Sequence, residues 1–126
     1  ALIELVEPMP GVHSVPHRGV ELAGVVNVRG AVTLCFSLSA ILDPAPGPAA
    51  ERPMMVVLAH EGWRVACRAD EAQGVFEFER SALLPAPSTL QATGRPVVKA
   101  IFPSSGGDVC WLDAGALFGA FDAAAR

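Results

Sequence analysis

Residues 22 to 42 read Leu22-Ala-Gly24-Val-Val-Asn27-Val28-Arg29-Gly30-Ala-Val-Thr-Leu-Cys35-Phe36-Ser-Leu-Ser-Ala-Ile-Leu42. Two apolar segments, one at Val25-Val26 and one from Ala31 to Phe36, flank an Asn-x-Arg-Gly turn. The β-branched and aromatic residues of the second segment suit a half-buried pleated surface, so the stretch predicts a β-hairpin. Gly30 takes a positive φ at the turn without steric cost. That leaves one cation, Arg29, at the tip of an otherwise apolar hairpin. Ser37 to Leu42 then predicts a helical turn, with Ser37 or Ser39 as its cap.

The alternation of short apolar runs continues on both sides. Leu2 to Val6 is apolar apart from Glu4, and Pro8 and Pro10 stop it. We expect a short strand or one helical turn there, with Glu4 on its exposed face. Pro10 to Glu21 reads as a loop. It carries His13 and His17 at a spacing that would put two imidazoles on one helical face, but Pro16 between them opposes a helix and no carboxylate or cysteine is close, so no metal site is expected. Asp43 to Glu51 is a Pro- and Gly-rich surface loop. Met54 to Ala59 predicts a buried strand, and His60-Glu61-Gly62 a turn. Trp63 to Asp70 predicts a strand with Arg64, Arg68 and Asp70 on its wet face, and the alternation runs on through Gly74 to Glu79 with Phe76 and Phe78 on one side. Ser81 to Gly94 is a longer connection. Val97 to Phe102 and Val109 to Leu112 predict a second hairpin. Asp113 is placed to cap a helix from Ala114 to Phe121 with Leu117, Phe118 and Phe121 on one side, and the Ala-rich end, Ala123 to Ala125, is expected to fray.

Composition limits the function. A chain of 126 residues with 52% hydrophobic and 17% charged residues predicts one folded domain over 1–126. A net charge of −4 gives no support to nucleic-acid binding. No apolar run approaches the roughly 20 residues of a membrane helix, and no signal peptide is visible. Eleven prolines and twelve glycines fit many short strands joined by turns. Cys35, Cys67 and Cys110 each lie in an apolar stretch without Cys-x-x-Cys spacing, which reads as buried reduced thiols in a cytoplasmic protein.

In order along the chain, several motifs resemble those of the CheW family of chemotaxis coupling proteins. Gly24-Val-Val-Asn27-Val28-Arg29-Gly30 resembles the family's Gly-x-x-Asn-[Leu/Val]-Arg-Gly signature, Leu2-Ile3-Glu4-Leu5-Val6 its Val-x-Glu-Ile segment, and His13-Ser-Val-Pro16 its Val-Pro lead-in. Arg52 to Leu58, Ala69 to Val75, and Trp111-Leu112-Asp113 with Leu117-Phe118 are similar to later segments of the family, so the resemblance covers nearly the whole chain. Leu34-Cys35-Phe36-Ser37-Leu38 departs from the usual Pro-Val-x-Asp-Leu and is similar to the CheW-like subunit of Wsp-type surface-sensing systems, whose output is a diguanylate cyclase.

The resemblance implies an all-β fold of two SH3-like five-stranded barrels with short helices. It implies a non-catalytic adaptor that joins the cytoplasmic tip of a chemoreceptor to the regulatory domain of a CheA-type histidine kinase. Gly24, Asn27, Val28, Arg29 and Gly30 would contact kinase or receptor, with Leu2 and Glu4 on a receptor-facing segment. In the family an opening strand precedes the position of Ala1, so the domain is expected to be N-terminally incomplete, with a bare strand edge through which two copies would pair.

The residues themselves offer no catalytic constellation. No phosphate-binding glycine loop, Gly-x-Ser-x-Gly elbow or adjacent nucleophile–histidine pair occurs, Lys99 is the only lysine, and no cofactor is expected. Asp70 and Glu71 are neighbours, which in a strand sends them to opposite faces. The alternative to an adaptor is a small enzyme or a β-barrel holding a small molecule in its mouth. Inward-reading positions that are almost all Val, Leu, Ala, Phe or Cys favour the adaptor.

Overall fold

The computed structural model describes residues 2–16, 19–42, 48, 50–75, 77–85, 97–104 and 106–126. Strands β1 (Leu2–Pro8), β2 (Leu22–Val28), β3 (Ala31–Ser37), β4 (Met54–His60) and β5 (Trp63–Ala69) form one sheet in the order β1-β4-β5-β3-β2. A second sheet contains β6 (Leu84–Pro85), β7 (Val98–Phe102) and β8 (Val109–Leu112), three strands among the described residues. Among the described residues there are also helices α1 (Leu38–Leu42) and α2 (Ala114–Ala125) and a 3₁₀ turn at Arg80–Ala82. The fold is the expected all-β one, with few helices.

Within the larger sheet, β2–β3, β4–β5 and β1–β4 pair antiparallel, while β3 and β5 pair parallel at Cys35↔Ala66, Phe36↔Cys67 and Ser37↔Arg68. The sheet curls because the chain leaving β1 crosses to the opposite edge. His13 exchanges backbone hydrogen bonds with Val25 of β2, at 3.0 Å and 2.9 Å. The first and last strands are thus tied together by one segment, as an SH3-like barrel requires.

The two faces of the curled sheet make two cores. Inside it lie Val26, Val28, Cys35, Met55, Val57 and Ala66, joined by Leu5, Met9, Val12 and Ala23. On the outer face, Leu22, Phe36, Ile41, Val65 and Cys67 pack under Leu117, Phe118 and Phe121 of α2. Phe36 stacks on Phe121 at 4.6 Å between centroids, and Trp63 meets Phe118 edge-on at 5.6 Å. A bulge between Leu22 and Gly24 explains why Leu22 joins Phe36 outside, whereas Val26 and Val28 point inward. One extra residue reverses the facing of everything beyond it.

Local signals act as the sequence suggests at both helices. Ser37 Oγ accepts the Ala40 amide at 3.4 Å ahead of α1, and Asp113 Oδ1 accepts the Ala116 amide at 2.8 Å ahead of α2. Other expectations fail. Residues 71–75 and 77–79 form no strand, and Phe78 packs instead against Phe102 and Trp111, at 5.2 Å and 5.9 Å between centroids. The alternation there is real, but a strand also needs a neighbour to pair with. The Ala-rich end is helical to Ala125, where Arg126 bonds Asp122 at 2.7 Å across one turn. Cys110 is exposed rather than buried. His17, Phe76 and most of the Asp43–Glu51 and Ser81–Gly94 stretches fall outside the described residues.

Candidate functional site

The β2–β3 hairpin closes through two residues, Arg29 and Gly30, between the paired Val28 and Ala31. Both central residues have positive φ, 51° and 89°, as a type I′ turn demands. Asn27 braces the turn from within, its Oδ1 accepting the Gly30 amide at 2.7 Å. Glycine is at ease in the second position. Arginine in the first is not, since a left-handed conformation brings Cβ close to its carbonyl. Among the described residues no hydrogen bond or ion pair engages the Arg29 guanidinium, which stands exposed at the tip.

Gly24 serves a different end. Its φ is 147°, and a Cβ there would lie 2.2 Å from the His13 carbonyl oxygen and 2.9 Å from a Val12 methyl carbon. The signature glycine is therefore what lets the crossing segment lie against β2. Gly30 has open space around the position of a Cβ, so only its φ needs glycine.

Glu4 is positioned by a second bulge. Ile3 pairs with Leu58 and Leu5 with Val57, leaving Glu4 as the extra residue of β1. Its carboxylate forms a two-pronged ion pair with Arg64 of β5, Arg64 Nε donating to Oε1 and Nη2 to Oε2, the latter at 3.2 Å. These hydrogen bonds hold the Glu4 carboxyl below its ordinary range and raise the Arg64 guanidinium above its own. The sequence reading put Arg64 on a wet face and gave it no role. Its partner is 60 residues away, so no local spacing could have announced the pair.

These groups meet at one end of the barrel. A cleft of about 340 Å³ is lined by Glu4, Leu5, Val28, Arg29, Ala31, Val57 and Arg64. Val28, Leu5 and Val57 belong to the inner core and form its apolar floor, while Arg29, Glu4 and Arg64 form its charged rim. Of the residues singled out in the sequence, Glu4, Val28 and Arg29 are brought together here. Asn27 and Gly30 shape the turn, Gly24 lies farther along β2, and Leu2 stands exposed on β1 outside the cleft lining. The barrel interior beneath is filled, with Cys35, Met55 and Ala66 fully buried.

Elsewhere the chemistry is quiet. Burial pushes the Cys35 thiol up to about 11 and the Cys67 thiol up to about 12, away from nucleophilic character. Among the described residues no group of His, Cys, Asp and Glu is gathered for a metal ion, and no helix is long and apolar enough to cross a membrane.

A curled five-stranded sheet tied at its edges, a helix sealing its outer face and a mixed apolar and charged cleft at its mouth define a small β-barrel interaction domain. The model of the CheW-like domain family matches residues 1–121, and the chain belongs to that family, one of non-catalytic scaffolds. Its fold is similar to that of the scaffolding protein TtCheW from Thermoanaerobacter tengcongensis, with a TM-score of 0.69 and 14% identity over 88% of this chain and 75% of that one. No protein of curated function matches the sequence.

Proposed function

We propose that this domain couples the cytoplasmic tip of a chemoreceptor, a methyl-accepting chemotaxis protein, to the regulatory domain of a CheA-type histidine kinase. The observation that carries the reading is Arg29, the cation of the family signature, held exposed on a strained two-residue turn beside an apolar floor, with no partner among the described residues. An adaptor gains specificity from such a group, because a guanidinium makes several directed hydrogen bonds at once. A backbone kept in a conformation that arginine disfavours is a cost that contact with a partner would justify. Leu2, Glu4, Gly24, Asn27, Val28 and Gly30 contribute as contact or supporting residues of the same surface. The protein would act in the cytoplasm, beneath membrane receptors that it reaches through its partners. The Leu34-Cys35-Phe36-Ser37-Leu38 departure favours a pathway whose output is cyclic-di-GMP.

Co-purification tests this. The chain should retain the kinase regulatory domain and the receptor tip together, and Arg29→Glu should release at least one of them while leaving the circular dichroism spectrum unchanged. Retention of both by Arg29→Glu contradicts the reading.

A further inference from the structure

The second sheet carries a separate cleft, on the face of β7 and β8 that bears Phe102, Val109 and Trp111. Directly paired residues share a face, and Phe102 pairs with Val109 and Ala100 with Trp111. Phe78 packs there against both rings, 5.2 Å from Phe102 and 5.9 Å from Trp111 between centroids. Beside it opens a cleft of about 360 Å³ lined by Glu77, Phe78, Glu79, Ala82 and Phe102. The 3₁₀ turn sets its edge, the Ala82 amide donating to the Glu79 carbonyl at 3.0 Å, while the Glu79 carboxylate caps nothing. Among the described residues neither the Glu77 nor the Glu79 carboxylate has a hydrogen bond or ion pair, and the adjacent Arg80 lies outside the lining. One ring of the layer is already occupied. A bulge between Val98 and Ala100 makes Lys99 the extra residue of β7, and its Nζ lies over Trp111, 4.9 Å from the ring centre. The cleft is left with two aromatic rings and two negative charges.

We propose that this cleft receives an arginine side chain from a basic segment of a protein partner, its guanidinium lying against Phe78 and Phe102 and pairing with Glu77 and Glu79. Charge complementarity selects a cation, because two carboxylates without a counter-ion repel an acidic segment or a phosphate. The aromatic walls select arginine over lysine. A planar guanidinium stacks on a ring and still directs the N–H groups of its edge to carboxylates. Exposure selects a chain over a free solute. Glu77, Phe78 and Glu79 all face solvent, so the lining does not enclose a small ligand as a binding pocket does. Val109, 52% exposed and paired with Phe102, gives the residues flanking the arginine further apolar surface. The cleft lies on the other sheet from Arg29, and its ligand chemistry does not depend on the kinase and receptor reading.

The test is an NMR titration of the whole chain with a short synthetic peptide alternating Arg and Gly, beside the same peptide with Lys or citrulline for Arg, and free L-arginine alone. The Arg peptide should move resonances of Phe78, Ala82 and Phe102, and bind about threefold more tightly than the Lys peptide. The citrulline peptide, of the same shape without the charge, should not move them. Phe78→Leu keeps apolar bulk without the ring and should weaken binding about fivefold, the size of a cation–ring contact at an exposed site. Phe78→Tyr should stay within about twofold of the parent, since the ring is retained. Glu77→Gln combined with Glu79→Gln should weaken binding about tenfold, the sum of two exposed charge contacts. The peptide comparison uses the unaltered chain, so it is decisive without any variant. Equal binding of the Lys or citrulline peptide, free arginine binding as tightly as the peptide, unchanged affinity in Phe78→Leu or in the double Gln variant, or no movement of these resonances at millimolar peptide would each overturn the assignment. Kinase coupling is a separate measurement, so its failure alongside intact peptide binding would remove the adaptor reading alone.

Discussion

Arg29 and Gly24 show two opposite reasons for a signature residue. Arg29 sits in a turn position that Asn fills better, so Arg29→Asn should stabilise the domain by about 0.5–1 kcal/mol, roughly the left-handed penalty removed. It should also lose partner binding, and urea denaturation beside co-purification would reveal both changes. A variant that is destabilised instead would show that the arginine supports the turn. Gly24→Ala acts only through the fold. A Cβ driven against the His13 carbonyl should cost about 2 kcal/mol or more, seen as a lower urea midpoint with an unchanged slope. Glu4 supplies a pH test. Its folded-state pKa is depressed by Arg64, so its contribution to stability is present above the unfolded value and is lost as pH falls through the lower folded value. The Glu4 carboxyl should titrate below its ordinary value of 4.5, and rise toward it when Arg64→Ala is combined with Arg29→Gln. Sequence pattern was enough to find Arg29, Asn27 and Gly30, because a two-residue turn between apolar runs is a local event. The close approach that requires Gly24 was not legible, since it depends on a segment that returns from eleven residues upstream.

At the scale of elements, α2 was readable and the bulges were not. Leu117, Phe118 and Phe121 recur at helical spacing behind an Asp, and the helix buries those three against Phe36 and Val65. Asp113→Ala should therefore cost about 1 kcal/mol through the lost cap. Phe121→Ala should cost about 3–5 kcal/mol, because Phe121 is fully buried and stacked on Phe36. Thermal or urea unfolding of the two variants checks both magnitudes and their order. Bulges arise from register between distant strands, so neither the outward turn of Leu22 nor the aim of Glu4 could be read from alternation. The failure at residues 74, 75 and 77–79 has the same origin. Period two states which side chains share a face if a strand forms, and a pairing partner decides whether it forms.

For the whole molecule, the three thiols divide by burial. Cys110 is exposed, whereas Cys35 and Cys67 are sealed on opposite faces of the sheet. A maleimide reagent at neutral pH should label one thiol in the native protein and three after denaturation; rapid native labelling of more than one would contradict the packing. The raised thiol pKa values also give stability a basic limit. It is complete below the ordinary thiol value of 9.0 and declines above it, toward about 11 for Cys35 and about 12 for Cys67. Strand β1 presents Leu2, Ile3 and Val6 and pairs with β4 alone among the described residues, so copies are expected to associate through its open side. Sedimentation showing a monomer at every concentration would exclude that. The most direct test of the adaptor account is reconstitution with the cognate kinase and receptor tip, following kinase autophosphorylation. The account predicts activation that requires all three components and disappears with Arg29→Glu. Activation that is the same without this protein, or that survives Arg29→Glu, would contradict it.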